Sequence, residues 1–280
     1  MRTAYSPQYT SPMRFLALLT LFPALTHGQT LTPDRFTTTP TTPIALSYPS
    51  SAASTFPAAP SWFFIRLAGT QENRDASNTP AATRDGTLSL TLPLAGVALM
   101  GLDLAPQTSQ WTLDVLHAFA LSTGHADLCP TAAATVEHRI SAATLVRVTT
   151  DSGEARPDAT ATSKSGLAAE IRPLMDPTTL GVGSDLPLRL YVDGEAVADA
   201  RITASHAATA TTRSASTDAR GIASIRIDHP GPWTLEFHTL TPLTDPADPH
   251  PRWRAASASL TFSAPVALPP ADAAPQGATP

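Results

Sequence analysis

Cysteine is nearly absent: Cys129 is the single one in 280 residues, so no disulfide forms within one chain and stability has to come from packing. Basic residues are few and scattered, 18 Lys and Arg against 23 Asp and Glu. No positive stripe exists to neutralise phosphates, which removes the electrostatic support for nucleic-acid binding. Beyond residue 28 no apolar run approaches the roughly 18 residues a membrane helix requires. Catalytic signatures are missing as well. There is no Gly-x-Ser-x-Gly elbow, and "GVGSD" at 181–185 lacks the third glycine and the strand-to-helix context of a dinucleotide loop, so it reads as a turn. Asp245 and Asp248 sit among prolines with too few neighbouring ligands for Ca²⁺. The sequence therefore predicts no enzyme.

What is there begins with an address. Between Arg14 and Gln29 the chain reads "FLALLTLFPALTHG", a positive charge followed by a short apolar run and then small and polar residues, the layout of a secretory signal. Residues 1–28 are read as that signal, with either an extended start or a true first residue at Met13. The expected mature protein carries a formal charge of −7, has no transmembrane segment and is periplasmic or secreted from a bacterium. The rest divides into a Pro/Thr-rich leader at 29–60, an amino-terminal β-rich module at 61–150, a linker or loop at 151–166, a carboxy-terminal sandwich at 167–263 and a Pro/Ala-rich tail at 264–280.

Alternation carries the fold assignment. "SWFFIRLAG" is the first convincing strand, and Leu88, Leu90 and Leu92 recur at period two before a break at Pro93. Trp111, Val115, Leu116 and Phe119 recur at three and four, which predicts a short helix with Ser109 as cap and Gly124 as stop. "PTAAATVEHRISAATLVRV" starts helix-like and ends as a strand. From Leu167 the pattern is almost wholly β: Leu186, Leu188, Leu190 and Val192 share a face before an Asp193-Gly194 turn. "STDARGIASIRID" predicts a further hairpin through Asp218 and Gly221, and Trp233, Leu235 and Phe237 are read as pointing inward. The expected fold is mainly β, two immunoglobulin-like β-sandwich modules, the first with a short helical insertion.

The stretches "GLAAEIRPLMDPTTLGVGSDLPLRLYVDGEAVADARITA", "STDARGIASIRIDHPGPWTLEFHTL" and "PRWRAASASLTFS" resemble a bacterial secreted family catalogued as a domain of unknown function and linked to nickel or cobalt uptake. The resemblance implies an amino-terminal β-rich module and a carboxy-terminal module like the regulatory domain of carboxypeptidases. It also implies nickel or cobalt as the bound metal, and a metal-transport system or another envelope protein as partner. Members commonly begin with a His-Asp-x-Trp-like segment; this chain lacks it, since His27 falls inside the signal and residues 29–60 hold no histidine. His238, in "LEFHTL", stands where members often carry a histidine.

Nickel and cobalt favour imidazole nitrogens. His117, His125, Asp127 and Cys129 lie within one short span, and a helix ending near Gly124 would let several converge, so His117, His125, Cys129 and His238 are the candidate ligands. Against this, no His-x-His or paired-Cys motif supports the site: His117 also fits a solvated helix face, Cys129 a small buried hydrophobe, and His238 an exposed strand position opposite Trp233, Leu235 and Phe237. His206 reads as a loop or strand-edge residue, and Trp253 as packed on the sandwich. Two function classes stay open: a non-enzymatic binding module of metal uptake, and a structural or adhesive sandwich that binds protein or glycan without metal. Expression in a bacterium with an intact export pathway is expected to yield a periplasmic product whose amino terminus, read by Edman sequencing, starts close to Gln29; a cytosolic product retaining Arg14 would refute the signal.

Overall fold

The computed structural model describes residues 29–48, 60–70, 72–76, 87–125, 127–128, 130–150, 159–243 and 252–265. The expected signal, the first half of the expected linker and most of the expected tail lie outside these. Three short strands come first, β1 (Thr32–Pro33), β2 (Thr37–Thr38) and β3 (Pro43–Ser47), so the stretch read as a leader supplies paired strands. Then follow β4 (Pro60–Arg66), β5 (Arg74–Asp75), β6 (Thr87–Thr91), β7 (Gly96–Leu104) and β8 (Gln107–Trp111). Helix α1 (Leu113–Thr123) leads to the long β9 (Ala134–Val148). A 3-10 turn at Thr160–Thr162 precedes β10 (Ala169–Pro173), β11 (Ser184–Val192), β12 (Glu195–Ala196) and β13 (Arg201–His206). The chain closes with β14 (Thr211–Ser216), β15 (Ile222–Ile227), β16 (Gly231–Leu243) and β17 (Arg252–Ala264). The fold is mainly β with one short helix among the described residues, as the alternation predicts.

One ten-stranded sheet organises everything else. Its order is β14-β13-β16-β17-β9-β7-β4-β5, with β2 and β8 also paired to β9. β17 and β9 run parallel, from Arg252 opposite Thr135 to Thr261 opposite Thr144, and through this pair the strands of the two halves share a single hydrogen-bonded ladder. On one face, Leu145, Trp233, Phe237, Leu260 and Phe262 pack against Leu186, Leu188, Leu190 and Ile225 of the four-stranded sheet β10-β11-β12, to which β15 is added. Fully burying each such large side chain contributes roughly 1.5–3 kcal/mol. The other face carries two smaller cores. The three-stranded sheet β1-β3-β6 places Ile44, Leu46, Leu88 and Leu90 over Met100, Leu102 and Val146, and α1 places Leu116, Phe119 and Ala120 over Val136, Leu240 and Ala255.

Three local expectations are corrected. Trp111 belongs to β8, opposite Ala134; the helix starts later and Thr112 is its cap, its hydroxyl accepting from the Val115 amide at 3.4 Å. Ser109 is a strand residue. Gly124 does stop the helix, in the left-handed region at φ 92°. From Ala134 the stretch that starts helix-like, "ATVEHR", is strand, because β9 has ladder partners on both edges and a helix would leave them unpaired. Third, "STDARGIASIRID" does not close a hairpin within one sheet. The Asp218 carboxylate accepts from the Arg220 and Ile222 amides at 2.8 and 2.9 Å, and Gly221 takes φ 75°. This self-satisfied turn carries the chain from β14 in the central sheet to β15, which pairs with β11 in the opposite layer.

Buried polar groups pin the layers together. The Asp103 carboxylate accepts from the Ser141 hydroxyl and the Ala168 amide, and Ser141 Oγ accepts from the Ala169 amide at 3.0 Å. Glu170 accepts from the Ser165 and Gly166 amides at 2.7 and 3.2 Å. Burial pushes both carboxyls above their usual range. At the β9–β17 junction Arg139 and Arg254 both contact Glu137, at 2.6 and 3.2 Å, and both reach Asp193 of the Asp193-Gly194 turn, at 2.9 and 2.8 Å.

Gly101 is needed for space rather than for backbone freedom. It lies opposite Phe64 across β4 and β7, and a Cβ there would come within 2.5 Å of the fully buried Phe64 ring. Gly101→Ala is expected to lower the urea midpoint with unchanged m-value, by about 1–3 kcal/mol of stability. Adding Phe64→Leu should recover part of that loss; additive effects would refute the steric coupling.

Candidate functional site: the helix-covered histidine face

The candidate site forms where α1 lies on β16, β17, β9 and β8. Strand alternation puts His238, Leu240, Ala255, Ser257, Val136 and His138 on one face, opposite the sandwich core. His238 is not the exposed strand residue that alternation alone predicts, because the helix covers that face. Its Nδ1 lies 2.7 Å from Ser257 Oγ, and its ring meets the Phe119 ring edge-on at 6.1 Å. Desolvation pushes the imidazole down to about 4. His138 is 7 % exposed, with Nε2 2.7 Å from Ser109 Oγ and its ring 5.2 Å from Trp111. Burial lowers its pKa too. Trp111 and Phe119 meet edge-on at 5.1 Å, so aromatic contacts run from His138 through Trp111 and Phe119 to His238.

The other candidates sit on the helix and the loop after it. His117 is exposed, and its Nε2 lies 2.8 Å from the Pro130 carbonyl, so the loop folds back along the helix. The His125 amide bonds the Ala120 carbonyl at 2.9 Å as part of the helix stop. His125 Nε2 is buried with no hydrogen-bond partner among the described residues. Asp127 is exposed, and Cys129 lies outside the described residues. The fold thus brings His117 and His125 onto one helix-and-loop unit and sets His238 beneath Phe119. Among the described residues no three His, Cys, Asp or Glu groups converge as a metal would require.

The remaining histidines belong elsewhere. His206 is buried within β13, stacked on His229 at 5.4 Å and against Trp233 at 5.2 Å. It is neither a loop nor an exposed edge residue, since its ring nitrogens lie 2.8 Å from Thr209 Oγ1 and 3.0 Å from the Pro230 carbonyl. His229 packs with Trp233, on the face opposite His238. His250 lies outside the described residues. Trp253 packs against the helix-covered core, as expected. His138 escaped the sequence reading: its signal was the alternation Val136, His138, Ile140, hidden by the helix-like start.

At neutral pH His238 is an uncharged imidazole, and unfolding returns it to an ordinary value near 6.5. Between about 4 and 6.5 the unfolded state binds the extra proton, so stability falls as pH drops through that window and is fully present above it. Urea unfolding of the parent and His238→Asn is expected to show a stability difference that is constant above pH 6.5 and shifts against the parent toward pH 4. A pH-independent difference would refute the buried neutral imidazole.

No curated protein matches this sequence. Among solved structures, one determined to explain Dscam isoform specificity is 14 % identical, with 82 % of this chain and 43 % of that chain covered and a TM-score of 0.18. Three N-terminal domains of the bacteriophage RB49 outer capsid protein Hoc are 10 % identical, with 84 % and 58 % covered and a TM-score of 0.19. Dimeric latent PorU from Porphyromonas gingivalis is 13 % identical, with 81 % and 19 % covered and a TM-score of 0.18. The chain spans less than two thirds of each of these, and likenesses this low carry no argument about its role. Residues 24–241 match the family described as domain of unknown function DUF4198, a span that takes in α1, His117, His125, His138 and His238. The chain belongs to this family.

Proposed function

We propose that the chain is an exported, non-enzymatic binding module of the bacterial envelope that takes up a nickel or cobalt ion at the loop closing α1, in the service of a metal-transport system. The observation that carries this reading is His125 Nε2, buried and without a partner among the described residues, on the same folded-back loop that engages His117. A buried unpaired imidazole nitrogen costs roughly 1–3 kcal/mol, and a borderline divalent ion is the chemistry it suits. His117 and Cys129 are the donors that the sequence sets beside it. His238 and its Ser257 contact then serve as support behind Phe119 rather than as ligands.

A second reading keeps the module and drops the metal: a structural or adhesive sandwich that binds protein or glycan. It is favoured by β14, an edge of the central sheet whose Thr, Ser and Arg side chains are mostly exposed, the kind of edge to which an extended partner adds a strand. Calorimetry of the exported chain with Ni²⁺ and Co²⁺ separates the two. The metal reading expects saturable micromolar binding that weakens at least about tenfold, or 1.4 kcal/mol, in His125→Ala and in His117→Ala. His238→Ala should leave it within about threefold. Absence of binding by the parent would leave the adhesive reading.

A further inference from the structure

We infer that a second site, remote from the helix-covered histidines, binds a small carboxylate: the cleft where β17 parts from β9. The parallel ladder between these strands ends at Thr144 and Thr261. Beyond that point β2 takes the place of β17 against β9, pairing Thr37 with Arg147. The departing end of β17 and the loop between β10 and β11 stand apart from β2. They enclose a cleft of about 520 Å³ lined by Phe36, Arg147, Thr178, Thr179, Ser263 and Pro265, among others. That volume falls within the range of small-molecule sites, which combine apolar walls with a few placed polar groups.

Arg147 supplies the recognition chemistry. It is half-buried near the end of β9, and its Nη1 donates to the Thr178 carbonyl at 2.9 Å, with Thr178 Oγ1 at 3.4 Å. These contacts hold the guanidinium still while using one of its two terminal nitrogens. The acid nearest in sequence to Thr178, Asp176, is turned to its own loop, accepting from the Thr178 amide and hydroxyl at 2.9 and 2.8 Å. Arg147 has no carboxylate partner among the described residues, whereas Arg139 and Arg254 share Glu137 and Asp193. A guanidinium has five N–H donors in a planar fork. The Nε and Nη2 edge is left with no acceptor among the described residues, which is the geometry that grips a carboxylate through two parallel bonds. Phe36 and Pro265 add an apolar wall for the body of such a ligand, while the Thr179 and Ser263 hydroxyls donate to the Asp176 and Ala264 carbonyls, which leaves the recognition to Arg147. A compact inorganic anion would leave that wall unused, so the ligand class is a carboxylate on an apolar or ring-shaped body.

The test is an NMR titration of the exported chain, following backbone amides and the Arg147 Nε–H signal, with benzoate and with benzamide as its neutral counterpart. Saturable shifts at Arg147 Nε–H and around Thr178 with benzoate, at a Kd of about a millimolar or tighter, are expected, with benzamide at least about tenfold weaker. Arg147→Gln should lose at least about tenfold in affinity with an unchanged fold by amide dispersion, and Arg147→Lys should lie between. Galacturonate against galactose forms a second pair. Preference for galacturonate over benzoate would support the site and assign it to acidic sugars, and the reverse preference would support it for apolar carboxylates. Equal binding of charged and neutral members of both pairs, or no movement of the Arg147 Nε–H signal in the parent, would overturn the inference. That signal is read in the unmutated chain, so a variant that fails to fold does not rescue the proposal.

Discussion

The parallel pairing of β17 with β9 is the constraint on which the rest of the structure depends. A parallel pair needs a long crossover, and here the crossover is the whole carboxy-terminal half, from the end of β9 through β16. Closing it forces β9 to carry partners along both edges and layers over both faces. That explains the small side chains at its centre. Ala142, Ala143 and Thr144 are all buried, leaving room for sheets above and below. Thr144 and Thr261 then meet at 2.8 Å, and Thr261 also donates to the Leu31 carbonyl at 2.6 Å. The junction thereby captures a segment that precedes the first strand.

Burying the junction has consequences for polar groups. Every ionisable side chain trapped near it must be neutral, paired or bonded to backbone. Glu170 and Asp103 satisfy this with amides and a serine, the Arg139, Arg254, Glu137 and Asp193 set by mutual pairing, and His138 and His238 by staying uncharged beside serines. The histidine face and the Arg147 cleft lie at opposite ends of the β9–β17 ladder. One lies where the ladder begins and α1 covers it; the other lies where it ends and β2 replaces a departing strand.

Strand content was legible because alternation is a local property: Leu186, Leu188 and Leu190, or Trp233, Leu235 and Phe237, announce one buried face whatever partner fills it. The Gly124 helix stop was equally local, since it rests on a left-handed backbone that glycine adopts without strain. The beginning of β9 was misread because alanine and threonine carry little periodic signal and its strand state comes from ladder partners distant in sequence. The cap moved from Ser109 to Thr112 for a related reason, as β8 pairing claims Ser109 and Trp111. Of the candidate site, His117 and His125 were found by proximity along the chain, while His138 and the true surroundings of His238 were not.

The sequence by itself determined which residues face inward, where most turns fall and that one short helix interrupts a β-rich chain, because each of these follows from side-chain period and backbone preference over a few residues. Only the tertiary structure decided that the two halves share a sheet, that the Asp218–Gly221 turn changes layers, that His238 is covered, and that one edge of Arg147 has no acceptor among the described residues. Those outcomes depend on which strands meet across more than a hundred residues, and a ladder partner leaves no mark on the local pattern of the strand it joins.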